Sequence, residues 1–268
     1  MRSITTLLFF ALAALFLAAP CAHADDAKAR EIMQKVNDRD DGDNAVSEEE
    51  MILIDKRGKQ RVRKIKSFRK DFGEDTHSIL FFEEPADVRD TSFLTFDYDD
   101  ESKDDDQWLY LPALKKVKRI ASSDKDGAFM GSDFTYGDMT ERALSKFSYE
   151  MVREEDVDGH KCWVIQSTPI NDDVVDEYGY LKSRAFVRQD NYVVVRAQFQ
   201  WAKGNKFKEM RVEKLEQIDG IWTALEMTMK TMKNKEIVHQ TLLRTTSIQY
   251  NQPMDETMFT TRRMETGL

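Results

Sequence analysis

Cysteine and histidine are scarce in this chain of 268 residues, with two of the first and four of the second. Cys21 falls within the first 24 residues, which are expected to be removed, so Cys162 is the only cysteine beyond them. A disulfide within the remaining chain is excluded, and stability has to come from packing. His77, His160 and His239 lie far apart, and none has a second His or Cys at metal-ligand spacing. No phosphate-binding glycine loop and no dinucleotide fingerprint occur. Ser132 follows Gly131, but no glycine stands two places after it, so the nucleophile-elbow pattern fails. Asp38, Asp40 and Glu49 match three positions of a calcium loop, yet Asp43 stands where its glycine belongs and Gly42 at the fifth position. That segment reads as a solvated acidic turn. The sequence therefore asks for no metal and no cofactor, and it carries no catalytic signature.

Long apolar runs are also missing, apart from Leu7 to Ala19 behind Arg2. That run is short for a membrane span, which needs roughly 20 residues. Ala22-His-Ala24 fits a cleavage site before Asp25. Residues 1–24 are thus expected to be a signal peptide, and 25–268 an exported, periplasmic chain that is not an integral membrane protein. Cys21 raises the competing reading of a lipoprotein, against which stands Pro20, where a small residue belongs. Forty Lys and Arg face 49 Asp and Glu. This acidic balance disfavours nucleic acid or an anionic membrane as the main partner.

What is present is mostly strand pattern. Asp25 to Asn37 reads as one amphipathic helix, with Ala29, Ile32, Met33 and Val36 on a face. After it the period changes to two. Val193, Val195, Ala197, Phe199 and Trp201 alternate with a mostly polar set, and Ile221, Leu225, Met227 and Met229 do so on a later strand. Asp158-Gly159 and Asp219-Gly220 mark hairpins, so the sheet is an antiparallel meander. About eleven strands exceed what an open twisted sheet carries without curling. The expected fold is mainly β (α+β), a curved antiparallel sheet forming an unclosed barrel, in one domain, its apolar concave face covered by a few helices. Arg61, Arg63, Lys64 and Lys66, with Lys115, Lys116, Lys118 and Arg119, either dock an acidic partner or lipid headgroup or simply solvate strands.

One stretch breaks the pattern. Phe129-Met-Gly-Ser-Asp-Phe-Thr-Tyr-Gly-Asp-Met139 packs aromatic and Met side chains among glycines, inside a long aperiodic segment. Such a segment lines a pocket or plugs a core. Asp133 and Asp138 face water or fix its turns.

Together with Glu84-Pro-Ala-Asp-Val-Arg-Asp-Thr-Ser-Phe-Leu94 and Asp106-Gln-Trp-Leu-Tyr-Leu-Pro-Ala-Leu-Lys-Lys-Val-Lys-Arg-Ile120, this stretch resembles the outer membrane lipoprotein-sorting family, the LolA-like proteins of Gram-negative periplasm. The likeness extends from the first helix to Met258-Phe-Thr260. It is closer to the branch found beside pumps of the resistance-nodulation-division type than to the classical lipoprotein carrier. The resemblance implies an unclosed barrel with a helical lid and a hydrophobic cavity for acyl chains. It implies a carrier of a lipid or acylated molecule that makes and breaks no bond. An inner-membrane transporter of that pump type and an outer-membrane acceptor are its implied partners. Phe129, Met130, Phe134 and Tyr136 are then expected at the cavity mouth. Leu80, Phe82, Phe93, Val195, Phe199, Met227 and Met229 are expected inside it. Ordinary core packing accounts for the same residues. The alternative function is an envelope sensor of the same fold, whose groove receives a protein segment.

Overall fold

In the computed structural model, which describes residues 25–268, the period-two runs pair into one antiparallel sheet of 13 strands. The expected leader at 1–24 lies outside the described residues. The first meander contains β1 (Asn44–Asp55), β2 (Gln60–Phe72), β3 (Asp75–Glu84), β4 (Ser92–Asp97), β5 (Asp106–Leu111) and β6 (Lys116–Arg119). The second contains β7 (Phe147–Val157), β8 (His160–Pro169), β9 (Tyr180–Arg188), β10 (Val194–Trp201), β11 (Lys206–Ile218), β12 (Ile221–Lys233) and β13 (Glu236–Tyr250). They join where β1 pairs with β13, from Ala45 opposite Tyr250 to Asp55 opposite His239. The strand order is therefore β6-β5-β4-β3-β2-β1-β13-β12-β11-β10-β9-β8-β7. The sheet curves without closing, and β6 and β7 are its edges.

The count exceeds the expected eleven or so because the first meander ends in short pieces. β6 has only four residues, all but one basic or exposed, and only its pairing with β5 makes it a strand. The tight hairpins follow their sequence signals. Asp158-Gly159 and Asp219-Gly220 both adopt positive φ, which matches the right-handed twist of the flanking strands.

This order has a direct consequence. The chain must pass from edge β6 to edge β7, and residues 121–146 make that crossing over the concave face. Beside them lies α1 (Ala27–Asn37), capped by the Asp26 carboxylate, which accepts from the N–H groups of Lys28 and Ala29. Ala29 and Ile32 of this helix are buried in the concave core. Arg30 ties α1 to the crossing and to the second meander by donating to the carbonyls of Leu144 and Phe147.

The convex face is dry over part of the first meander. There α3 (Thr261–Thr266) and the residues before it cover Phe68, Ile79, Phe81 and Leu94 with Phe259 and Met264. This explains why β3 is apolar on both faces: Ile79 and Phe81 meet the C-terminal segment, while Leu80 and Phe82 meet the concave core. His77 stacks between Phe72 and Phe96 in the convex cluster, at centroid distances of 4.3 and 3.8 Å. A third helix, α2 (Asp172–Tyr178), falls between β8 and β9. It is capped by Asn171 and ends at the left-handed Gly179.

Candidate functional site

Residues 121–146 form four short 3-10 turns and little else, so their backbone groups need partners outside regular structure. Some come from within: Phe129 N–H donates to the Phe134 carbonyl, and Tyr136 N–H to that of Gly127. Others come from the sheet. Arg63 of β2 donates to the Met130 carbonyl at 2.5 Å, Lys208 of β11 to the Asp133 carbonyl at 2.5 Å, and Gln107 of β5 to the Tyr136 carbonyl at 2.9 Å. Burial pushes the Lys208 ammonium down to about 8. Gly131 adopts a left-handed turn that leaves open space at its missing side chain. Gly137 is packed instead, with the Tyr178 ring and the Glu177 carbonyl at contact distance from where a Cβ would stand.

Asp133 is the deepest anchor of the crossing. Its carboxylate accepts from Thr231 at 2.5 Å and Thr241 at 2.7 Å, and lies 2.7 Å from His239 Nδ1. Asp138 closes a capping box with Thr135, accepts from the Tyr180 hydroxyl at 2.8 Å and pairs with Arg142 at 3.1 Å. Asp138 fixes a turn, whereas Asp133 ties the crossing to β12 and β13. Neither lies at a solvated position, as buried Asp133 shows most clearly.

The crossing divides the concave side in two. Over the first meander it is a plug: Phe129 packs on Phe93 at 5.0 Å and Phe82 at 6.2 Å, and Tyr136 stands edge-on to Phe129. Over the second meander it leaves a cavity of about 280 Å3, bounded by α1, residues 134–144 and strands β7 to β12. Met33, Phe134, Ala197, Phe199, Met227 and Met229 supply much of its apolar wall.

Of the residues expected to form one site, Phe134, Phe199, Met227 and Met229 do line this cavity. Leu80, Phe82, Phe93, Phe129 and Tyr136 belong instead to the aromatic core beneath the plug, in contact with one another and not with the void. The aromatic sequence alone does not tell them apart, because both groups face the same side of the sheet. Met130 sits in a separate small recess beside Arg61, Arg63 and His239, with a left-handed φ of 49°.

Val195 is a correction. It packs on the opposite face, against the cluster of Val157, Cys162, Val164 and Phe186. The pairing of β10 with β9 slips between Val194 and Arg196, a β-bulge that shifts the alternation by one residue. Val194 therefore lines the cavity in its place.

Sequence reasoning also missed Arg142. Its guanidinium lies 5.1 Å from the Phe199 ring centre and 5.2 Å from that of Tyr180. Paired with Asp138, it is the cation of the cavity wall. A fixed charge in an otherwise apolar pocket sets the direction in which an amphiphile enters. Arg142 sits in an unremarkable polar run, and only the fold brings the rings around it.

A second cavity of about 270 Å3 adjoins the first and shares Asn37 and Leu144 with it. Its wall is acidic, with Asp41, Asp71, Asp97, Glu101, Asp105 and Glu141 among its residues. Burial pushes both Asp97, also facing Asp105, and Glu141 up to about 7. Asn37 donates to the Glu141 carboxyl where the two cavities meet.

A family model described only as an uncharacterized protein matches residues 74–266. No curated protein matches the chain. Among solved structures, a DUF1329 family protein from Desulfovibrio piger is 28% identical, with a TM-score of 0.79 over 88% of this chain and 98% of that one. A putative outer membrane lipoprotein-sorting protein domain from Vibrio parahaemolyticus is 29% identical, also at 0.79, over 89% of this chain and 98% of its own. A LolA superfamily protein from Nitrosomonas europaea shares the fold at 19% identity, with a TM-score of 0.66 over 87% of this chain and 98% of that protein.

Proposed function

This chain belongs to the LolA-like outer membrane lipoprotein-sorting family, and we propose that it is a periplasmic carrier of a lipid or acylated molecule. The observation that supports this most is the apolar cavity on the concave face, with the Arg142–Asp138 pair set into its wall. An acyl chain in water costs about 0.8 kcal/mol per exposed methylene, so a dry wall of Met and Phe is what transfer between membranes requires. The carrier makes and breaks no bond. In this reading residues 1–24 direct export and are removed after Ala24, residues 25–268 act as one domain, and delivery runs between an inner-membrane transporter of the resistance-nodulation-division type and an outer-membrane acceptor.

The cavity is at the small end for a ligand site, whose volumes run from roughly 300 Å3 upward. A lipid with several chains requires α1 or the 121–146 crossing to move outward, and both are attached by side-chain hydrogen bonds rather than by strand pairing.

Organic extraction of the purified protein followed by mass spectrometry tests the proposal. A bound acyl species, or uptake of one after delipidation, is the expected result. A protein that consistently carries none and takes none up is not a carrier.

A further inference from the structure

Three neighbouring hairpin tips project from the same end of the sheet. They are the β1–β2 turn, the β12–β13 turn and the β10–β11 turn, placed together by the pairing of Asp55 with His239 and of Lys206 with Lys233. Their exposed residues include Lys56, Arg57 and Lys59, then Lys233 and Lys235, then Lys203 and Lys206, against only Asp55 and Glu236 of opposite sign. In a chain of net charge -9 this is a local reversal. The exposed acids of α2, Asp172, Asp173 and Asp176, lie beside the β10–β11 turn, so the reversal is confined to the tips themselves. Among the described residues, Lys206, Lys233 and Lys235 make no ion pair, while Lys203 is held by Asp126.

Between these cations stands an apolar row. Lys208 and Thr231 point to the concave side, where both bond Asp133. Their neighbours Phe207 and Met232 therefore point to the convex side. Met232 pairs with Phe207 on one side and with Ile237 on the other, the latter past a bulge that brings Ile237 into the row. Phe207 is 48% exposed and Ile237 49%. These two large apolar side chains, two strands and so about 10 Å apart, stand open to water on the hairpin tips. Lysines alone would suit any acidic partner. Lysines fringing a protruding Phe and Ile suit the interface of an anionic bilayer, where the apolar side chains enter the headgroup boundary and the ammonium groups meet phosphates.

We propose that these hairpin tips are a docking surface for an anionic phospholipid membrane. The unpaired lysines draw the tips toward the bilayer before contact, and Phe207 and Ile237 then hold them there. Docking of this kind does not depend on what the cavity carries.

Co-sedimentation of the chain from residue 25 onward with vesicles provides the test. Binding is expected to vesicles of mixed phosphatidylglycerol and phosphatidylcholine, not to phosphatidylcholine alone, and it should weaken as salt rises. Replacing Lys206, Lys233 and Lys235 together by Glu should weaken binding at least about fivefold for each charge changed. Phe207→Ser with Ile237→Ser should weaken it at every salt concentration. All five positions are exposed, so unchanged unfolding midpoints will show that the variants fold. Ala197→Trp, which fills the cavity, should bind vesicles as the native chain does. A vesicle signal lost with Ala197→Trp but kept in the tip variants would reflect cargo uptake and overturn the proposal. Background binding to all vesicles also overturns it, including the case where the tip substitutions instead abolish capture of an envelope protein.

Discussion

Asp133 and His239 meet at 2.7 Å, carboxylate Oδ2 to imidazole Nδ1, across a sequence separation of 106 residues. The contact pins the middle of the crossing segment to β13, and Thr231 and Thr241 complete the carboxylate's shell from β12 and β13. A buried carboxylate with this many partners is expensive to remove, because each partner is left unpaired. Asp133→Ala should destabilise the protein by roughly 2–4 kcal/mol. Urea unfolding measures that loss. Hydrogen exchange should show faster opening of residues 127–139 than of β12 and β13, and uniform exchange would mean that Asp133 does not hold the crossing in particular.

The slip in β10 predicts opposite behaviour for adjacent residues. In Val194→Cys a bound acyl chain should slow alkylation of the new thiol, since position 194 lines the cavity. In Val195→Cys it should leave the rate unchanged. The native Cys162 is buried and does not compete for the reagent. Protection at 195 instead of 194 would restore the unbroken alternation expected from the sequence.

Arg142 should discriminate between ligands of one chain length. Arg142→Met keeps the bulk of the side chain and removes its charge. Affinity for a fatty acid should fall about tenfold or more, the range for a charge-assisted hydrogen bond, while that for the corresponding alcohol stays nearly constant. Fluorescent displacement titrations measure both. Equal losses for acid and alcohol would mark Arg142 as a packing residue only.

The acidic cavity has a signed pH dependence. Asp97 and Glu141 are pushed up to about 7 by burial, so the folded chain keeps protons that the unfolded chain releases near pH 4. Their stabilising contribution is complete below pH 4 and is lost as pH rises through 7. Asp97→Asn keeps an oxygen to accept the Glu141 N–H, which donates to Asp97 at 2.7 Å. It should therefore stabilise the protein by roughly 1–2 kcal/mol at pH 8, by less than half of that at pH 5 and by little below pH 4. Thermal melts at pH 8 and pH 5 decide it, and an equal effect at both would place the Asp97 carboxyl back in the ordinary range.

Much of the architecture follows from local pattern. Residue alternation and Asp-Gly turns dictated the antiparallel meander, because side chains on a strand alternate faces and such dipeptides tolerate positive φ. The motifs at 84–94, 106–120 and 129–139 carried the family. The sequence likewise marked 129–139 as something other than a surface loop, since so many aromatic and Met side chains require burial. Tertiary structure decided the rest. Whether Phe129 or Phe134 borders empty space depends on which half of the concave face the crossing fills, and that depends on β6 and β7 being opposite edges of the sheet. The face occupied by Val195 depends on one slipped pair with β9. Arg142 acquired its ring of aromatic neighbours, and Asp133 its histidine, from strands distant in the chain. The cavity exists because one connection crosses a curved, unclosed sheet and covers only half of it.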